Sequence, residues 1–194
     1  MYFRCLALFY SLPTIMHIIG DWFIIRDLRL DDIPRLAEIG NNYKIWINLS
    51  HTFPHPYTLA DAERWVNHNL SLGDKTESFA VEIDGQFAGG CGVRHKWWDQ
   101  AKTRDVWYRL GEEYRGRWLA SKICKTITDY GFTTHDAERI EWSVFWRNPP
   151  SMKVLEKCGY TREGVQRNRI WKDGKITDEV LFGILKSEWK SLQK

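Results

Sequence analysis

The sequence predicts a mixed α/β domain built on one central sheet that carries helices. Three observations lead there. Strand-like and helix-like runs follow one another as βααββ, then βα, βα and ββ. Asp84 and Gly85 join two alternating runs at hairpin distance. Leu119, Ile123, Ile127 and Tyr130 recur at helical spacing.

The elements follow in order. Phe23 to Leu30 has the β-branched, alternating character of a strand, and Asp31 and Asp32 are placed to cap the helix that follows it. Pro34 falls in that helix's first turn, where a missing N–H costs little, and Ile33, Leu36, Ala37 and Ile39 form the apolar face. An aromatic and histidine-rich connection, KIWINLSHTFPHPY, closes at Thr58 and Asp61, which have capping-box spacing for a helix from Leu59 to about Leu70. Ser78 to Ile83 and Gln86 to Val93 form the Asp84-Gly85 hairpin, and Asp105 to Leu110 is a further strand after the polar loop HKWWDQAKT. A helix from Trp118 to Thr133 leads to an alternating strand, Arg139 to Phe145. Asn148, Pro149 and Pro150 open a short helix through Lys157, and Gly159 is placed to end it. Val165 to Trp171 and Ile176 to Leu185 close the domain as a hairpin around KDGK.

Composition narrows the partners. The 194 residues fit one domain, the net charge is only +3, and Lys and Arg are interleaved with Asp and Glu. No basic stripe marks a nucleic-acid surface. The four cysteines show neither CxxC nor Cys/His spacing, which argues against a metal site and for buried, reduced thiols in a cytoplasmic setting. Residues 1–15, MYFRCLALFYSLPTI, are apolar apart from Arg4, but Pro13 interrupts them and they are too short to span a bilayer. They read as an extension upstream of a start at Met16, with 16–194 as the domain proper and no membrane partner.

The stretch Tyr114 to Ala120 joins a strand to a helix N-terminus, where the first backbone N–H groups have no intrahelical partners and the helix dipole favours an anion. Gly116 permits close approach of a ligand, and Arg115 and Arg117 can add charge-assisted contacts. The plainer alternative is a solvated turn. Asn148 and Ser151 stand at the end of the next strand, so both junctions open on one crevice at strand carboxyl ends. For Asn148 the plainer alternative is capping.

Five segments in order resemble the GCN5-related N-acetyltransferases, most closely the branch that includes the ribosomal-protein N-terminal acetyltransferases. They are LRLDDIPRLAEI, PYTLADAERWV, RLGEEYRGRWLASKI, RIEWSVFWRNPPSMKVLEKCGYTREG and WKDGKITDEVLFGILKSEW. The resemblance implies a mostly antiparallel, splayed sheet flanked by helices, acetyl-CoA as cofactor, and a primary amine as acceptor, either a peptide or protein N-terminus or a small molecule. By the same resemblance Arg115, Gly116, Arg117, Trp118, Leu119 and Ala120 hold the diphosphate. Trp107, Tyr108, Arg109 and Leu110 expose backbone to the pantetheine arm, to which Asn148 also bonds. Ser151 stands near the thioester sulfur, and Asn148 and Ser151 are the catalytic candidates. Trp46, His51, Phe53 and Tyr57 are expected to wall the acceptor channel, and a homodimer is compatible with the family.

The chain departs from the pattern at three positions. Trp118 stands where a second glycine is usual, Leu155 where many relatives carry a tyrosine acid, and Ile170 where a glutamate base can stand. Glu141, Asp178 and Glu179 are replacement base candidates, and His51 and His55 are candidate proton shuttles. These departures also leave open a non-catalytic acyl-CoA sensor on the same fold.

Overall fold

The computed structural model describes residues 16–50, 52–116 and 118–193. The extension at residues 1–15, Met16's status as a start, and the site candidates His51 and Arg117 therefore fall outside what the fold can address. Strand β1 (His17–Ile19) leads to β2 (Ile24–Arg26), then helices α1 (Ile33–Gly40), α2 (Tyr43–Trp46) and α3 (Leu59–Leu72). The hairpin β3 (Ser78–Ile83) and β4 (Gln86–His95) precedes β5 (Thr103–Leu110), α4 (Leu119–Thr134), β6 (Arg139–Phe145) and α5 (Pro149–Lys157). A second hairpin, β7 (Thr161–Lys172) and β8 (Lys175–Leu185), is followed by α6 (Lys186–Leu192).

All eight strands form one sheet in the order β1-β2-β3-β4-β5-β6-β8-β7. Every neighbouring pair is antiparallel except β5 and β6. The mostly antiparallel mixed sheet is the expected one. Because strand side chains alternate, the sheet supports two separate cores. Val81, Val93, Val106, Ile140 and Phe182 pack with Ile123 and Ile127 of α4 and Leu155 of α5. Ala80 and Phe87 pack instead with Leu36 and Ile39 of α1, Ile45 of α2 and Val66 of α3. Gly92 lets β4 accept the indole of Trp107, since a Cβ there would lie 2.5 Å from Trp107 Nε1 and 2.0 Å from the Glu77 carbonyl oxygen.

Several boundaries differ from the sequence reading, each for a local reason. The first expected strand is confined to Ile24–Arg26, and the apolar residues before it pair back as His17–Ile19. Asp32 occupies the position before α1 but makes no cap bond to the helix. Its carboxylate is taken by Arg26, at 2.8 Å to both nitrogens, and by the Arg29 N–H at 2.8 Å. Arg26 also meets Glu82 at 2.5 Å. Asp32 first, and Glu82 with it, raise the Arg26 pKa above its ordinary value. In the connection expected to be irregular, Asn42 caps the short α2 through its side chain. The Thr58–Asp61 capping box forms as expected, with Asp61 N–H on Thr58 Oγ1 and Thr58 N–H on Asp61 Oδ2. At the carboxyl end α6 docks through Trp189, whose indole N–H meets Asp129 of α4 at 3.0 Å. Cys91, Cys124 and Cys158 are buried free thiols. Among the described residues no helix is long and apolar enough to cross a membrane.

Removing one partner from a buried ion pair leaves a desolvated charge. Asp32→Ala is therefore expected to destabilise the fold by about 3 kcal/mol, read as a lower midpoint in urea unfolding.

Candidate active site

The site is organised by the place where β5 and β6 part. These parallel strands share only three registered pairs, Thr103↔Arg139 to Asp105↔Glu141. Lys96 holds the closed end, 3.5 Å from Asp105 Oδ1 and bonded to Glu141. Burial raises the Asp105 pKa, and Lys96 opposes that shift. Beyond this point Trp107, Tyr108, Arg109 and Leu110 keep their pairing to β4 but have no registered partner in β6. Their peptide groups on that edge open into a wedge.

The turn at the wide end is built from two left-handed residues. Gly116 has φ +77° and Trp118 has φ +62°. A Cβ on Gly116 would meet nothing within 4 Å, so the turn faces open space. Trp118 adopts the conformation that glycine takes without strain, at a cost of about 1 kcal/mol. Its ring is exposed, with Lys157 Nζ 4.0 Å from the centroid, a contact that offsets part of that cost. Trp118 closes the start of α4 through its carbonyl, which accepts from Ser121 and Lys122. Among the described residues no acceptor meets the N–H groups of Gly116, Trp118, Leu119 or Ala120. Four donors are thus left at one helix N-terminus, with Leu119 buried beneath them and Arg115 exposed beside them.

At the second junction Asn148 precedes α5 but makes no side-chain cap bond, so capping does not occupy its amide. Ser151, in the first turn of α5, has its Oγ 3.4 Å from the Tyr108 hydroxyl. Burial raises the Tyr108 pKa far above the usual phenol range, so the phenol stays protonated at neutral pH. Its ring meets Trp142 edge-on at 4.7 Å between centroids. Leu155, at the position where the resemblance would put a tyrosine acid, is wholly buried in the core. A hydroxyl reaches Ser151 from β5 instead.

The opposite face of β5 carries Trp107 and Arg109. The Arg109 guanidinium lies 4.6 Å above the Phe53 ring, and Phe53 stacks on Tyr57 at 4.3 Å. Trp46 donates its indole N–H to the Phe53 carbonyl at 3.0 Å and stacks on His55 at 4.7 Å. Of the residues expected to wall an acceptor channel, Trp46, Phe53 and Tyr57 thus lie together, with Tyr57 also part of the buried core. Lys172 Nζ sits 4.1 Å from the Trp46 ring. Burial lowers the Arg109 pKa to about 10. It lowers that of Lys172 as well, with the nearby charge of Arg147 adding to the shift. Each replacement base candidate has another partner: Glu141 has Lys96 and Arg139, Asp178 accepts the Asn168 N–H, and Glu179 accepts the Ser143 hydroxyl.

Sequence reading assigned Tyr108 and Arg109 for their backbone alone and passed over Arg147 and Lys172. The signal for the first two was the period of the strand, which sends adjacent side chains to opposite faces. Nothing in the linear sequence brings Lys172 beside Trp46.

Comparison with known proteins agrees with this architecture. The acetyltransferase (GNAT) domain model matches residues 23–161. An uncharacterized N-acetyltransferase p20 of Bacillus licheniformis is 28% identical over 169 residues, covering 85% of this chain and 93% of that protein. Mycobacterium smegmatis RimJ, solved in complex with CoA-disulfide, superposes with a TM-score of 0.76 at 20% identity over 86% of this chain and 83% of that one. A Vibrio cholerae spermidine N-acetyltransferase, solved with CoA and spermine, gives 0.75 at 22% identity over 88% and 99%. The chain belongs to the GNAT acetyltransferase family. Its class is that of an N-acetyltransferase.

Arg109 makes no ion pair with a carboxylate among the described residues. Replacing an uncompensated buried charge by an apolar side chain of similar length should relieve the fold. Arg109→Met is expected to raise the stability of the ligand-free protein by about 1–3 kcal/mol, seen as a higher urea midpoint at unchanged slope.

Proposed function

We propose that the protein transfers the acetyl group of acetyl-CoA to a primary amine by direct attack within a ternary complex. The observation that carries this reading is the set of amides without an acceptor among the described residues at Gly116, Trp118, Leu119 and Ala120, with open space beside Gly116 at the wide end of the wedge. Convergent N–H donors at a helix N-terminus suit a diphosphate, and Arg115 adds charge beside them. The CoA named in the complexes of RimJ and the spermidine N-acetyltransferase supports the same ligand here. The free edge of Trp107 to Leu110 offers peptide groups to an extended amide-bearing chain, and the uncapped Asn148 side chain adds a donor and an acceptor.

Acetyl-CoA, when bound, supplies an acyl carbon activated by its thioester. The protein's own part is orientation and proton handling. Ser151 donates a hydrogen bond from its hydroxyl to the departing sulfur, Tyr108 donates one to Ser151 Oγ, and the proton lost by the acceptor nitrogen ends on the thiol. The acceptor must be a neutral amine, and the chain has Ile170 rather than a carboxylate at the position considered for a base. The positive charges of Arg109, Lys172 and Arg147 beside the aromatic cluster favour loss of the ammonium proton. An α-amino group, with a pKa of about 8, needs less of this help than a lysine at about 10.4.

The Ser151–Tyr108 pair favours turnover over an acyl-CoA sensor. Release of free thiol from acetyl-CoA over a panel of amines and N-terminal peptides separates the two: turnover on at least one acceptor is expected, and binding without release on any would support the sensor. Ser151→Ala is expected to lower kcat about 100-fold with cofactor affinity kept, and Tyr108→Phe to lower it less while moving the pH profile. Gly116→Val, which puts a β-branched residue at φ +77°, is expected to weaken CoA at least 10-fold in calorimetry. Unchanged affinity would contradict the loop assignment.

A further inference from the structure

The acyl transfer described above uses the aromatic side of β5 only as a source of positive potential, yet that side has a more specific construction. Arg109 is 8% exposed, and its Nε has no hydrogen-bond partner. The Nε1 of Trp107, on the same face of the strand, is also buried without an acceptor. Two further cations, Lys172 and Arg147, flank the aromatic cluster, with Asp173 beside Lys172. Lys172 is 5% exposed and makes one hydrogen bond, to the Ser50 carbonyl at 3.3 Å, while the Arg147 Nε is buried and unpartnered. The nearby acids are already engaged: Asp173 accepts the Tyr43 hydroxyl at 2.7 Å, and Glu112 holds Lys44 and Asn42.

A buried guanidinium without a counter-ion is costly to a fold, and proteins normally compensate it. Here the compensation is absent from the described residues. A planar carboxylate is the group that a guanidinium fork accepts best, through two parallel N–H bonds. The stacked Phe53 beneath Arg109 limits the directions from which water can solvate it. Lys172 and Arg147 add potential of the same sign, which draws an anion and repels a second cation.

We propose that this cluster selects an acceptor amine that itself carries a carboxylate, seated with the carboxylate on Arg109 and the amine toward the wedge. The inference rests on the acyl-transfer reading and deepens it by naming the acceptor class. A polyamine of the kind named for the Vibrio cholerae neighbour meets repulsion here. The bound carboxylate removes the desolvation penalty of Arg109, so stability given up in the empty protein returns as affinity for the correct acceptor.

The test uses the full chain saturated with CoA. Free acidic and neutral amino acids, peptides beginning with Asp or Glu, the corresponding amides, and spermidine are titrated by calorimetry, and thiol release from acetyl-CoA is measured in parallel. Carboxylated amines are expected to bind and to show kcat/KM at least 10-fold above their amides, with spermidine inert. The amino-acid and peptide arms identify which source of carboxylate fits. Arg109→Met is expected to raise KM for carboxylated acceptors at least 10-fold and to erase the discrimination against amides, with CoA affinity retained and melting temperature not lowered. Arg109→Lys should restore part of the discrimination. Equal handling of acid and amide, a preference for spermidine, or no calorimetric binding of any carboxylated amine overturns this inference without touching the acyl-transfer reading. Carboxylate-dependent binding with no thiol release on any amine overturns the transfer reading and leaves the anion site standing.

Discussion

Everything in this fold that bears on function follows from the early end of the β5–β6 ladder. Strands that stay paired bury their peptide groups in one another, whereas these two part after Asp105 and Glu141 and leave an edge of β5 without a neighbour. An unpaired edge inside a sheet is unfavourable unless something satisfies it. Lys96 fixes the apex by bonding to a carboxylate from each strand, and the helices after β5 and β6 fix the mouth. The opening is therefore a property of the sheet and not of a mobile loop. Its donors and acceptors face a crevice at strand carboxyl ends, where open α/β sheets receive ligands.

The two faces of β5 divide the chemistry. Tyr108 points to the α4 and α5 side, where it meets Ser151 and where burial keeps its phenol protonated. Arg109 points to the α1 to α3 side, among Phe53, Tyr57 and Trp46. In the proposed reaction one side meets the leaving group and the other, electropositive and aromatic, meets the acceptor. A single strand with alternating side chains thus places donor and acceptor functions back to back, with the backbone between them.

Much of this was legible in the linear sequence. The Asp84-Gly85 turn, the Thr58–Asp61 capping box and the apolar spacing of Leu119, Ile123 and Ile127 are local signals, and each produced the element that it indicated. Gly116 marked the left-handed turn before α4 through the same kind of signal. The readings that differed depend on distant partners. Asp32 was read as a cap because its neighbours in sequence form a helix, but Arg26 and the Arg29 N–H take its oxygens. His17–Ile19 and α6 are too short to show a period, and they exist because β2 and α4 offer surfaces to pair with. Leu155 shows only that the tyrosine common in relatives is missing, while the hydroxyl near Ser151 arrives from a strand forty-three residues earlier. The cations around the aromatic residues, Arg109 on Phe53 and Lys172 on Trp46 with Arg147 near it, come from three parts of the chain, with no spacing that announces them.

The central claim is that the free amides after β5 hold the diphosphate of coenzyme A. Amide chemical-shift perturbation on isotope-labelled protein tests it directly, with CoA titrated against a dephospho, diphosphate-free pantetheine control. The account predicts large shifts at Gly116, Trp118, Leu119 and Ala120 with CoA that are absent with the control. Shifts that leave these four amides unmoved at saturating CoA would contradict it.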